Sequence, residues 1–493
     1  MMVVPLFVAI PLGLAFLIPL VSKFWRRAGD LVANLGTGAV LCLALYSIPL
    51  ISGRPIVYSM GGWRPPLGIV LVLDGLSLLV LVCVSVVSFA CSIYSISYMA
   101  KFTSKWKFYT LFMLMVTGLN GVVLTGDIFN MYVFFEIAAI ASYALVAFGT
   151  EHEELEAAFK YMVLGSVASV AILFSIALLY AKLGTLNLAD LSIRMGEAGD
   201  LRILAFTGAL LLTGFSVKAA LIPFHSWLPD AHPSAPAPIS AMLSGVFIKV
   251  LGLYAISRIF FNVFGMKPVY SNLLIFFGVI SIVVAGLLAL RQSDVKRLLA
   301  YSSISQIGYI ALGLGTGSPL GILGALFHIL SHSTGKALLF LTSGSLVYSA
   351  GTRDLNKMGG LQERMPVTAA SFTAGALSIA GVPPFHGFFS KLLIIMGLWQ
   401  SGRYALAALA IVMSVLTLSY MLKVEKGAFF GKIREELKGV KESPATMLIS
   451  MILLAALCLG IGICFPWVVK LLIEPARDVL LRGLEYSHTV FGT

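Results

Sequence analysis

The chain is poor in charge. Only 11% of its 493 residues are Asp, Glu, Lys or Arg, against about 25% in soluble globular proteins. Hydrophobic residues make up 59%, and the mean hydropathy is +0.97. That balance excludes both a soluble globular protein and a disordered chain. Cysteine is also scarce. The five cysteines (Cys42, Cys83, Cys91, Cys458 and Cys464) lie in apolar runs and form no C-x-x-C pair. They read as small buried hydrophobes, not as a disulfide framework, a zinc site or a cluster site. Long polar stretches are missing as well. About fourteen apolar runs are long enough to cross a bilayer, at roughly 20 residues each, and nothing between them is large enough for a soluble catalytic domain. Any nucleotide, flavin or iron–sulfur cluster is therefore expected on other chains, and no cofactor or metal in this one.

The apolar runs are continuous, without the short alternating segments of a barrel, so the chain is expected to be an all-α polytopic membrane protein. The first run is followed, not preceded, by Lys23, Arg26 and Arg27. That order predicts a retained first helix, not a signal peptide. More than half of the 34 Lys and Arg fall in or beside the odd-numbered loops. The bias places odd loops in the cytoplasm and both termini outside. The net charge of +12 is largely this topology signal and does not point to nucleic acid.

Two spans depart from a simple helix. The run 366–400 holds 35 residues, with His386 and Lys391 its only ionisable groups. As one helix it would be about 52 Å long, yet the hydrocarbon is only about 30 Å thick. Gly381-Val382-Pro383-Pro384 interrupts it, which predicts one crossing made of two half-helices. After span 203–222, five prolines (223, 229, 233, 236 and 238) fall within 16 residues, with Asp230 the one charge. A broken, re-entrant helix is expected there too. The two breaks read alike: Pro223-Phe224-His225 and Pro384-Phe385-His386. They fall on helices 7 and 12. A five-helix unit has an odd number of crossings, so its repeat must be inverted. Helices 4–8 and 9–13 are therefore expected as two inverted copies. The chain then divides into 1–107, 108–261, 262–422 and 423–493. Paired broken helices in matching positions point to a transport path near the midplane.

Ionisable groups at membrane depth cost roughly 2.5–3.5 kcal/mol each on insertion scales, so those present call for a role. Glu136, Lys218, Lys249 and Lys391 lie inside spans. Lysine suits proton exchange because its ammonium responds readily to burial. Asp74 and Asp127 lie nearer to span ends and are expected to snorkel. His328, His332 and Lys336, spaced i, i+4, i+8, share one helix face. That face has three readings. A metal site lacks further ligands, and Lys336 opposes it. A polar seam between helices is a second reading. A proton relay is the third, since neutral imidazole both donates and accepts. His225 and His386 are expected to cap backbone groups freed at the breaks. Glu151, Glu153, Glu154 and Glu156 read as a solvated helix start, and 423–443 as an amphiphilic surface segment.

Several longer motifs carry a resemblance. They are Thr125-Gly126-Asp127-Ile128-Phe129-Asn130 leading to Phe135-Glu136, and the run from Phe215 to His232. To these add Lys249, the stretch from Arg291 to Gly308, the His328–Lys336 face, and Pro384-Phe385-His386-Gly387-Phe388-Phe389-Ser390-Lys391. Together they resemble the proton-conducting, antiporter-like membrane subunits. That family occurs in NADH–quinone oxidoreductase, in Mrp-type Na⁺/H⁺ antiporters, and in membrane-bound hydrogenases and their relatives. The resemblance covers roughly residues 70–470. It implies fourteen helices, with Glu136 and Lys218 as an input ion pair and Lys249 as the central relay. The helix 11 histidines would bridge the halves, and Lys391 would be the exit residue. A lysine at the exit, with the segment Ser331–Lys336, looks like the D subunit of the Mrp antiporters or its hydrogenase-complex counterpart.

The expected function is H⁺ translocation within a larger complex in a prokaryotic cell membrane. It would be coupled to Na⁺ exchange or to redox chemistry in other membrane subunits, and surrounded by lipid. A stand-alone cation or solute transporter and a structural or quinone-site subunit with a dead channel are the competing readings.

Overall fold

A computed structural model describes residues 3–25, 27–51, 55–197 and 201–491. Arg26, in the basic cluster after the first run, lies outside them. The chain is a helical membrane bundle. Helices α1 (Val3–Ser22), α2 (Ala28–Ser47) and α3 (Gly75–Tyr98) come first. A two-stranded hairpin, β1 (Ile56–Ser59) with β2 (Val70–Leu73), joins α2 to α3. The first five-helix unit is α4 (Lys105–Leu124), α5 (Ile128–Val146), α6 (His152–Leu183), a broken α7 and α8 (Ala237–Asn262). The halves of α7 are α7a (Leu201–Lys218) and α7b (Leu228–Ser234). The second unit is α9 (Pro268–Arg291), α10 (Val295–Gly315), α11 (Pro319–Ala350), a broken α12 and α13 (Tyr404–Ala428). Here the halves are α12a (Pro366–Ala380) and α12b (His386–Gln400). Helix α14 (Ala445–Ile463) and short C-terminal helices follow.

Among the described residues, eleven helices are long and apolar enough to cross a membrane by themselves. The spans not in that set are α7a, α11 and the broken α12. The first ends on a lysine, the second carries His328, His332 and Lys336, and the third is cut into halves of 15 residues each.

The expected inverted repeat is present, and local chemistry shows it. In each unit an Asp caps the second helix: Asp127 accepts from Asn130 N at 2.7 Å, and Asp294 from Arg297 N at 3.0 Å. Each also makes an isolated antiparallel bridge to the loop before the broken helix, Asp127 with Asn187 and Asp294 with Asp354. Helices α6 and α11 are both 32 residues long. The two bridges lie on opposite faces of the bundle, as inversion requires.

Interactions sort the loops into two faces by parity. Asp30 pairs with Lys105 at 2.6 Å, Arg353 with Glu153 at 2.6 Å and Asp294 at 2.8 Å, and Asp230 with both Lys160 and Arg297 at 3.3 Å. All join odd-numbered loops or the helix ends beside them. On the other face, Leu71 bridges to Thr125, and Asn262 Nδ2 donates to Val479 O at 2.8 Å. The acidic run opens α6 as expected, with Glu151 and Glu154 closing a capping box.

Two expectations need correction. Asp74 does not snorkel. It is buried, caps α3 and pairs with buried Arg258 of α8 at 2.8 Å, and the C-terminal segment packs on the pair, with the Tyr486 ring centre 5.0 Å from the guanidinium. The amphiphilic segment does not begin at 423, since α13 runs on to Ala428. The chain beyond it packs on the 351–365 loop, with Gly360 N donating to Phe430 O at 3.0 Å.

Helices α9 and α10 cross at a glycine contact. A Cβ on Gly308 would stand 2.7 Å from Gly278 O and 2.9 Å from Ile282 N. Backbone cannot yield as a side chain does. Gly308→Leu is expected to cost about 3 kcal/mol or more, read as a lower unfolding temperature of the purified protein. An unchanged temperature would refute the close crossing.

Candidate functional site

A polar axis runs through the middle of the bundle, from α5 to α12b. It begins at Glu136 on α5, half-buried on a lateral face. Lys218, the last residue of α7a, is 2% exposed. The two do not touch directly. Lys218 Nζ donates to Ser169 Oγ at 3.1 Å, and Ser169 Oγ donates to Glu136 Oε1 at 2.5 Å. Ser169 on α6 therefore joins the pair. Nothing in its apolar surroundings in the sequence marks it.

Lys218 ends α7a because Ala220 turns into the left-handed region (φ 55°), which an L-residue holds only when its surroundings fix it. The broken stretch is pinned by Ile222 N donating to Ser281 Oγ at 2.9 Å and by Trp227 Nε1 donating to Val217 O at 2.9 Å. Pro223 is exposed at the break and His225 is half-buried, with its Nδ1 unpartnered. The carbonyl end of a helix carries partial negative charge. Lys218 therefore sits where a half-helix terminus favours a cation.

Helix α8 passes this break in close contact. A Cβ on Gly252 would meet Ala219 Cα at 2.5 Å. Less than a turn away is Lys249, 1% exposed. The sequence predicts an ordinary helix here. In the structure α8 widens into π-helical turns over Leu243–Phe247 and Lys249–Tyr254, a departure that frequently marks functional positions. The Lys249 ammonium donates to the carbonyls of Ser244 and Gly245 in its own helix. No carboxylate pairs with it among the described residues. Ser244 Oγ reaches Ser303 Oγ of α10 at 2.7 Å.

The axis continues on α11. Gly245 of α8 lies against it, since a Cβ there would meet Ser333 O at 3.3 Å and Ala337 Cβ at 3.5 Å. Lys336 Nζ donates to Leu299 O at 3.1 Å. His328 and His332 are fully buried, with ring centroids 6.1 Å apart. His328 Nδ1 bonds Ser390 Oγ of α12b at 2.8 Å. Among the described residues, His328 Nε2, both nitrogens of His332 and Ser331 Oγ have no hydrogen-bond partner. Buried polar atoms are ordinarily satisfied by protein or by ordered water. Unpartnered atoms in a row are what a hydrated proton path requires.

At the second break, Gly381 (φ 87°) ends α12a. Gly387 has no room for a side chain, because its Cβ would lie 1.7 Å from Ser378 O. Pro383 and Pro384 are exposed between the halves. His386 does not cap backbone. Its Nε2 bonds Thr334 Oγ1 at 2.9 Å and its Nδ1 bonds Ser378 Oγ at 3.0 Å, tying α12 to α11 through side chains. Lys391 Nζ donates back to Ala380 O at 3.3 Å and stands 4.8 Å from the Tyr309 ring centre. Its ammonium thus meets the carbonyl end of α12a, whereas Lys218 is itself the last residue of α7a. The sequence did not single out Tyr309.

This fold and this axis define a class: an inverted-repeat membrane subunit with buried lysines at two helix breaks. The comparisons agree. The profile described as NADH:quinone oxidoreductase/Mrp antiporter, TM matches residues 125–417, and that of NADH-ubiquinone oxidoreductase (complex I), chain 5 N-terminus matches 63–109. The chain is 34% identical to the Na(+)/H(+) antiporter D subunit of Alkalihalophilus pseudofirmus, over 91% of each protein. It is 36% identical to the NADH-quinone oxidoreductase N subunit of Desulforudis audaxviator, over 94% of this chain and 93% of that one. A chain of the Mrp complex from a Dietzia species superposes with a TM-score of 0.93 at 28% identity, over the full length of both. A chain of the membrane-bound sulfane sulfur reductase, an archaeal respiratory membrane complex, superposes at 0.91 with 33% identity, over 99% of this chain and 100% of that one. The protein belongs to the NADH:quinone oxidoreductase/Mrp antiporter transmembrane family, the antiporter-like subunits that translocate protons within larger membrane complexes.

Proposed function

We propose that this chain moves H⁺ along the route Glu136–Lys218–Lys249–His332/His328–Lys391, with Lys336 beside the centre, as one arm of a multisubunit membrane complex. The observation that carries this reading is the axis itself. Buried titratable groups run through both repeats, with a lysine at the carbonyl end of the first half of each broken helix. The chain holds no cofactor of its own in this reading. Its proton movement is coupled to Na⁺ exchange or to redox chemistry in neighbouring subunits, and relatives of both kinds support that pairing. The excess of Lys and Arg in odd loops supports a cytoplasmic position for that face, with both termini outside. Lipid covers the lateral surfaces that no subunit occupies.

The test uses the assembled complex in proteoliposomes. Glu136→Ala and Lys218→Ala are each expected to abolish coupled transport while subunit composition stays native. Ser169→Ala is expected to fall between them and the native protein, since it breaks the link but keeps both charges. Native rates in either charge variant would overturn the pair assignment. Identification of the co-purifying chains by mass spectrometry decides the coupled chemistry: small membrane subunits alone for antiport, iron–sulfur or hydrogenase-like subunits for redox.

A further inference from the structure

The odd-loop face carries a cleft that the proton route does not use. It opens between the end of α13 and the 351–365 loop, with a volume of about 750 Å³. Lys423, Lys426, Lys432 and Arg434 line it, and no carboxylate does among the described residues. All four cations are exposed. Lys423 Nζ donates to Leu290 O and Gln292 O, both at 2.7 Å, at the carbonyl end of α9. Arg434 Nε donates to Met358 O at 3.0 Å. Among the described residues, the ammonium groups of Lys426 and Lys432 have neither a hydrogen bond nor an ion pair. Glu435, next to Arg434, pairs with Lys438 at 2.7 Å.

The backbone around the cleft is fixed. Gly431 takes the left-handed region (φ 89°) and turns the chain back. A Cβ on Gly360 would stand 2.7 Å from Ile433 Cα, so the 351–365 loop clamps the strand of chain between Lys432 and Arg434. Buried Leu355 and Met358 give the cleft an apolar floor. Apolar side chains also lead into it from the lateral surface. Ile411, Val415 and Leu422, spaced i, i+4, i+11, share one face of α13 and are 52%, 62% and 46% exposed. Val284 and Leu287 are exposed on α9, the helix to which Lys423 is tied. An apolar track thus ends on unneutralised cations at the end of a spanning helix, where headgroups lie.

We propose that this cleft binds an anionic phospholipid of the leaflet at the odd-loop face. The phosphate seats among Lys426, Lys432 and Arg434, whose guanidinium offers a planar fork to its oxygens. The acyl chains lie along the exposed faces of α13 and α9. Basic pockets between spanning helices hold anionic headgroups in this way. An acidic segment of a neighbouring subunit would satisfy the cations but leave the apolar track uncovered, so charge and track together favour a lipid.

The test uses the assembled complex in phosphatidylcholine vesicles. They contain a sub-saturating amount of phosphatidylglycerol with a photoactivatable acyl chain. After illumination, crosslinked peptides are mapped by mass spectrometry. Labelling of the exposed faces of α13 and α9 is expected, with displacement by unlabelled phosphatidylglycerol but not by phosphatidylcholine or inorganic phosphate. Lys426→Gln combined with Lys432→Gln is expected to lower the yield about 25-fold, at about fivefold per cation, with native subunit composition. Lys23→Gln combined with Lys107→Gln removes two cations of the same face away from the cleft and is expected to leave the yield unchanged. An equal loss there would mean diffuse surface attraction and overturn the site. Displacement by inorganic phosphate would make it an anion site without a lipid. Native labelling in the Lys426/Lys432 variant refutes the cleft, and loss of a subunit from that variant would show a protein partner there instead. Binding is the readout, so the outcome is independent of the proton route.

Discussion

Lys249→Met is expected to lower proton transport by the assembled complex by roughly two orders of magnitude, within the range of about 10²–10⁴ contributed by a positioned acid–base group. Methionine nearly keeps the length of the side chain and removes the ammonium, so packing around α8 changes little. Lys249 is enclosed, and among the described residues its ammonium has the carbonyls of Ser244 and Gly245 as hydrogen-bond partners. The α8 contacts at Gly252 and Gly245 set it between the first break and α11. No other lysine or histidine stands at that crossing on α8. Proton uptake into proteoliposomes, with subunit composition checked in parallel, reads the effect. A rate within about twofold of native would mean that protons cross elsewhere.

The second large effect concerns stability. Asp74 Oδ1 accepts from Arg258 Nη2 at 2.9 Å, and Oδ2 lies 2.8 Å from Nη1, close but less well aligned for a hydrogen bond. Both residues are almost wholly enclosed, and the guanidinium also lies 5.0 Å from the Tyr486 ring centre. The pair ties α3 to α8 and to the C-terminal segment. Removing one partner of a buried pair strands the other charge, at a cost of about 3–5 kcal/mol. Arg258→Met is therefore expected to lower the unfolding temperature of the purified complex sharply. Asp74→Asn combined with Arg258→Met is expected to recover most of the loss. Asparagine still caps α3, and no charge is left buried. An Arg258→Met protein as stable as the native one would show that the pair holds nothing together.

The sequence by itself determined the class of structure. Low charge and long apolar runs demand a helical bundle, because backbone groups in hydrocarbon must be satisfied within the segment. Proline and glycine placed both breaks, since neither residue continues a helix at those dihedrals. Charges too costly to leave in lipid identified Glu136, Lys218, Lys249 and Lys391 as residues needing a role. Local signals of that kind are legible one segment at a time.

Only the tertiary structure decided which groups meet. That Ser169 stands between Glu136 and Lys218 depends on how α6 is rotated against α5 and α7a, and hydroxyls are common enough in such helices to carry no signal. The burial of Asp74 depended on Arg258, 184 residues away. The role of His386 as a tie between α11 and α12 depended on Thr334 and Ser378 facing it. That both nitrogens of His332 lack a partner among the described residues is likewise invisible in its own segment, because an absent partner is a property of every neighbouring helix at once. Cost is written residue by residue in the sequence, whereas contact is set by the rotation and register of helices that the chain brings together from far apart.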